Sequence, residues 1–94
     1  MVKKEDVIDV LKTIEDPELF MDIYTLELIY DVQVGPKVKV VMTLTSPQCP
    51  AGESIIREVR EKVRKIKGVE DVEVELTFSP PWEPSEDLRA MLGV

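Results

Sequence analysis

Cys49 has more chemistry to offer than any other residue in the chain. It stands in Thr43-Leu44-Thr45-Ser46-Pro47-Gln48-Cys49-Pro50-Ala51-Gly52, where an alternating run hands over to a helical one. Proline is favoured at the first helical position, so Cys49 is the expected N-cap of the helix that follows. A sulfur so placed faces orphan backbone N–H groups and the positive end of the helix dipole, and both favour thiolate over thiol. Thr45 and Ser46 add hydroxyl donors within reach of the same loop. Against this stands the commoner fate of a free cysteine in a small domain, burial as an inert apolar group.

Two further clusters carry usable groups. Asp16-Pro17-Glu18-Leu19 reads first as a helix stop with acidic turn residues, because the residue before proline is pushed out of the α region. If the fold brings it to Cys49, the carboxylates of Asp16 and Glu18 can orient a metal ion or shuttle a proton, although negative charge beside sulfur opposes the thiolate. Pro80-Pro81-Trp82 holds the only indole. Trp82 is expected to lid an edge of the small core, with a wall beside the Cys49 corner as the alternative.

Composition removes most other chemistry. The chain of 94 residues has no histidine and one cysteine. An intramolecular disulfide is impossible, as are a Cys/His zinc site within one chain and every histidine-dependent triad. The net charge of −7 comes from 19 acids against 12 bases, a poor balance for neutralising nucleic-acid phosphates. The exception is residues 53–67, where Arg57, Arg60, Lys62, Arg64, Lys65 and Lys67 outnumber Glu53, Glu58 and Glu61. The i, i+4 pairs Arg57/Glu61 and Glu58/Lys62 make this a solvated helix face. Met1–Val7 carries charge where a signal peptide needs its apolar stretch. The longest apolar runs are three residues, which excludes a membrane-spanning helix. One unpaired thiol suits a reducing cytoplasm.

The elements that must position these groups follow from periodicity. Val7, Val10, Leu11 and Ile14 share one face of a first helix. Residues 15–27 show neither period and read as an ordered loop with one helical turn, packed down by Leu19, Phe20, Met21 and Ile23. Leu28, Tyr30, Val32 and Val34 then alternate with Ile29, Asp31 and Gln33. After the Gly35-Pro36 turn, Val38, Val40, Met42 and Leu44 resume the alternation, giving an antiparallel hairpin. A helix over 51–67 buries Ile55, Ile56, Val59, Val63 and Ile66 and ends at Gly68. Val72, Val74, Leu76 and Phe78 form a third strand, and Ser85 caps a last helix with the stripe Leu88, Met91 and Leu92. The order α-β-β-α-β-α over one domain, 1–94, predicts an α+β two-layer sandwich: a three-stranded mixed sheet with helices on one face. Ile29 and Val41, on the otherwise polar face, mark where a homodimer contact would form.

These motifs resemble a known family. Asp16-Pro17-Glu18-Leu19, Leu26-Glu27-Leu28-Ile29-Tyr30-Asp31-Val32, Met42-Thr43-Leu44-Thr45-Ser46-Pro47-Gln48-Cys49-Pro50, Gly68-Val69, Val72-Glu73-Val74 and Pro81-Trp82 follow in order the pattern of SufT/PaaD-like proteins of metal–sulfur cluster biosynthesis. The resemblance implies an iron–sulfur assembly domain that matures clusters, delivers them to apo-protein clients, or supports one metalloenzyme complex. It places the functional cysteine on Cys49, the acidic pair on Asp16 and Glu18, and the hydroxyls on Thr45 and Ser46. It also implies other iron–sulfur assembly proteins as partners. Two positions depart from the pattern: Phe20 stands where the family has Gly or Asn, and Glu27 where it has Gly.

One thiol cannot hold a cluster that needs about four thiolates. The expectation is therefore no permanently bound cofactor, and at most a transient iron ion or cluster shared through Cys49 with a partner. A thiol-dependent enzyme or redox sensor, or an accessory subunit of a metal-dependent oxygenase complex, is the alternative. A nucleic-acid-binding KH domain shares the element order but needs a basic G-x-x-G loop. Gly35, Gly52, Gly68 and Gly93 offer none.

Overall fold

The alternation in residues 37–42 makes the strand on which everything else is hung. The computed structural model describes residues 2–17, 19–45, 52–79 and 81–93. Its elements are α1 (Lys4–Leu11), β1 (Glu15–Asp16), β2 (Met21–Asp22), β3 (Ile29–Gln33), β4 (Lys37–Met42), α2 (Gly52–Arg64), β5 (Asp71–Leu76) and α3 (Glu86–Leu92). β4 is central, antiparallel to β3 and parallel to β5, so the sheet is mixed as expected. Val38, Val40 and Met42 point inward and are fully buried, while Lys37 and Lys39 point the other way.

The inner face is covered by helices. α1 packs on α2 and β3, and α2 packs on β5. Val7 and Leu11 from α1 meet Ile55, Val59 and Val63 from α2 over the sheet residues. Each such side chain contributes roughly 1.5–3 kcal/mol on burial, which is why the helical period survives into the structure. The outer face is ionic. Lys37 Nζ lies 2.9 Å from Glu73 Oε1 and Lys39 Nζ 3.3 Å from Glu75 Oε1, diagonal neighbours across the parallel ladder. That mutual hydrogen bond lowers the Glu73 carboxyl and raises the Lys37 ammonium from their ordinary pKa values.

Three expectations need correction. The register of β3 slips between Ile29 and Asp31, a bulge that inserts one residue and reverses the parity upstream. Leu28 stays fully buried, Ile29 turns onto the core instead of the outer face, and Tyr30 is 37% exposed. Of the two residues thought to mark a subunit contact, only Val41 is left on that side. At the edge strand β5, Val72 is buried, but Leu76 and Phe78 are only partly covered, having a strand neighbour on one side alone. In α3, Leu88 enters the core whereas Met91 remains largely exposed.

Candidate functional site

Residues 15–27, which have no clean period, turn out to be organised by hydrogen bonds. Glu15 and Asp16 pair with Asp22 and Met21 in a two-residue antiparallel ladder, extended by the Ile23 amide donating to the Ile14 carbonyl at 2.9 Å. The loop between is closed by the Phe20 amide donating to the Asp16 carbonyl at 2.9 Å and the Leu19 amide donating to Asp16 Oδ1 at 3.4 Å. Asp16 is fully buried. A buried carboxylate needs polar contacts in place of water, and the Leu19 amide supplies one at Oδ1. Phe20 ends the loop at φ 57°, in the left-handed region.

The expected helical turn follows at 22–27. Asp22 Oδ2 accepts from the Thr25 amide at 2.8 Å, an N-cap bond, and the Leu26 amide donates to the Asp22 carbonyl at 3.1 Å. It ends in a Schellman closure: the Leu28 amide reaches the Ile23 carbonyl at 3.1 Å and the Glu27 amide the Tyr24 carbonyl at 3.0 Å. Ile23 and Leu28, the apolar pair of that motif, are both fully buried. Glu27 holds its left-handed position at φ 63°, where glycine is the usual occupant. The two departures from the family pattern are therefore the two non-glycine residues with positive φ among the described residues.

Two hydrogen bonds hold the C-terminal segment to this turn. Trp82 Nε1 donates to the Leu26 carbonyl at 2.7 Å, and the Ser85 hydroxyl donates to Glu27 Oε2 at 2.7 Å. Ser85 also caps α3 by accepting from the Leu88 amide at 3.2 Å. Trp82 is half-buried and packs on the core, as a lid does, but its indole N–H fastens the segment in a way the sequence did not reveal.

Sheet register then fixes the edge at which these parts meet. Ile29 pairs with Met42, and the Thr43 amide donates to the Leu28 carbonyl at 2.8 Å, so the one-turn helix sits beside the exit of β4. β4 and β5 run parallel and end together, with the Thr77 amide donating to the Met42 carbonyl at 2.9 Å. Ligand sites of α/β sheets form beyond such carboxyl ends. Thr43 is buried, Leu44 nearly so, and Thr45 is half-buried at the mouth. α2 opens at Gly52, packed so tightly on Leu44 that a Cβ there would lie 2.6 Å from Leu44 Cδ1. Ser46 and Cys49, between these anchors, and Glu18, in the hairpin loop, lie outside the described residues.

A hollow among the described residues lies elsewhere. It measures about 410 Å³, is lined by Val2, Val34, Gly35, Pro36 and Gly68, and sits at the opposite end of β4. Among the described residues no group of three or more Asp, Glu or Cys could hold a metal ion. Nor is any helix among them long and apolar enough to cross a membrane.

With this geometry in hand, likeness to known proteins can be weighed. A family model described as iron–sulfur cluster assembly protein matches residues 4–76. A Porphyromonas gingivalis protein named Fe–S protein maturation auxiliary factor is 46% identical over 95 residues, covering 96% of this chain and 90% of the relative. A Synechocystis iron–sulfur cluster carrier protein is 35% identical over 94 residues, covering 99% of this chain but 27% of the carrier. Among solved structures, a conserved hypothetical protein of Thermotoga maritima superposes with a TM-score of 0.85 at 48% identity, covering 99% of this chain and 96% of that one. The chain belongs to the iron–sulfur cluster assembly protein family.

Proposed function

We propose that this chain is an accessory factor that passes an iron–sulfur cluster, or its iron, from an assembly protein or carrier to apo-protein clients. Cys49 makes the transient bond to the cargo as thiolate. Thr45 and Ser46 donate hydrogen bonds to the cargo's sulfur or to the displaced ligand, and Asp16 and Glu18 shape the loop that faces it. The observation that carries this reading is the donor set: one thiol and no imidazole in a chain of this family. A single soft ligand supplies about a quarter of what a cluster needs, so the remaining ligands belong to the protein on either side of the transfer. The match to about a quarter of a longer iron–sulfur cluster carrier supports a domain that works together with a carrier.

The test is reconstitution with iron, sulfide and a small thiol, followed by transfer to an apo-ferredoxin. The wild type is expected to transfer at least tenfold faster than Cys49→Ser. Equal rates would remove the thiol from the mechanism.

A further inference from the structure

Several choices in the hairpin β1–β2 cost stability, and they agree with one another. Phe20 adopts a left-handed conformation that a bulky side chain avoids. It is also 79% exposed, the most exposed large apolar side chain described. At the stem, Glu15 stands directly opposite Asp22, a like-charge cross-strand pair that opposes the ladder. Over residues 13–36 the sequence has six acids and no base. The loop is nevertheless closed by two bonds to Asp16. An apolar tip is thus presented on an acidic stem. Strain of this kind persists where function requires it.

We infer that Phe20 is a docking anchor that inserts into an apolar pocket, rimmed by Lys or Arg, on a separate partner protein. Aromatic anchors seated in desolvated pockets carry most of the energy of such contacts, and complementary rim charge steers the encounter. A second copy of this chain fits poorly. Its own apolar hollow has Glu70 and Asp71 beside it, whose amides bond to the Pro36 carbonyl, and Lys37 next to Pro36 is already tied to Glu73. Lys3 and Lys67 neighbour the same hollow, so its rim is mixed rather than basic. An anionic lipid surface would repel the acidic stem. The anchor adds to the transfer reading a contact that does not depend on Cys49.

The experiment places the photo-crosslinker p-benzoylphenylalanine at position 20 of the full chain in cells of the source organism and identifies the adducts by mass spectrometry. The expected adduct is with a different protein, at a peptide combining apolar residues with Lys or Arg. With that protein purified, Phe20→Gly should weaken binding at least tenfold, and raising salt from 50 to 500 mM should weaken it further. Phe20→Gly should leave the thermal midpoint level or raise it by up to about 8 °C, since relieved strain outweighs the added chain freedom. Adducts only between copies, no adduct, or an adduct at an acidic peptide would overturn the inference. So would co-sedimentation with phosphatidylglycerol vesicles that Phe20→Gly abolishes. A midpoint lowered by more than about 8 °C would assign Phe20 to the fold instead. Cys49→Ser, run in parallel, should keep the adduct while losing transfer, so the docking contact and the thiol role fail separately.

Discussion

Gly52 sets how closely α2 approaches Leu44, two residues past the end of β4, and Gly52→Ala tests that contact. The added Cβ would meet Leu44 Cδ1 at 2.6 Å, more than an ångström inside ordinary carbon contact. Leu44 is 5% exposed, so its methyl has little room to retreat. Overpacking of this sort costs about 1–3 kcal/mol. Replacing glycine in a helix gains back about 0.5–1 kcal/mol. The net expectation is a loss of about 1–2 kcal/mol, a midpoint lower by roughly 4–16 °C in a domain of this size. Urea unfolding with fixed m-value measures it, and Gly35→Ala is the control, since its Cβ would meet only the Lys37 carbonyl at 3.7 Å. Leu44→Val in the Gly52→Ala background should recover part of the loss, giving a coupling of about 0.5 kcal/mol or more. If Gly52→Ala stabilises the protein as an unconstrained helical glycine would, the close approach of α2 to Leu44 is wrong.

Two other perturbations follow from the same geometry. Glu27→Gly should change stability by less than about 1 kcal/mol, because relief of the left-handed backbone offsets the lost bond to Ser85. A double-mutant cycle with Ser85→Ala, itself costing about 1 kcal/mol as a lost N-cap, should then show a coupling of about 0.5 kcal/mol; a coupling of zero would mean the Glu27–Ser85 bond contributes nothing. Lys37→Met should return the Glu73 carboxyl upward to its ordinary range in an NMR titration, because the Lys37 hydrogen bond is the main cause of its depression. The contribution of that pair is present above the ordinary carboxylate pKa and lost as pH falls through the lowered value. It is also lost as pH rises through the raised Lys37 value. Both groups are exposed, so the effect belongs to the titration and is weakened by salt.

What could be read in advance follows from what periodicity encodes. Val38-Val40-Met42 and Ile55-Val59-Val63 repeat long enough for burial on one face to decide their structure, and the order of elements and the mixed sheet came with them. Residues 15–27 carry no period because they are held by amide hydrogen bonds to Asp16 and Asp22, whose side chains look the same in sequence whether they close a loop or bind a ligand. The bulge at Tyr30 was invisible for a related reason: one inserted residue reverses the parity of Ile29 without changing its hydrophobicity. Resemblance flagged Phe20 and Glu27 as unusual, but only the φ values say why a residue without a Cβ is favoured there. Of the candidate site, Thr45 lies past the end of β4, where strand alternation no longer decides which way a side chain faces. Asp16 was read as a turn residue or a site carboxylate, and its loop-closing bonds were not visible.

If the chain acts in transfer as proposed, the donor set and the hairpin bear on different steps of it. A thiolate that supplies one of about four ligands contributes little lifetime to the complex, because the cargo leaves whenever three ligands elsewhere compete for it. Contact between the proteins then has to supply the residence time, by raising the effective concentration of the partner's ligands to the millimolar range. On that division, weakening the anchor at Phe20 should raise the concentration of partner needed for half-maximal transfer while leaving the saturating rate alone. Removing the Cys49 thiol should do the reverse, lowering the saturating rate with half-saturation unchanged. Transfer rates measured against partner concentration for Phe20→Gly and Cys49→Ser separate the two. If both substitutions moved the same parameter, docking and ligand exchange would be a single event, and the case for a carrier that holds its cargo by one bond would lose its physical basis.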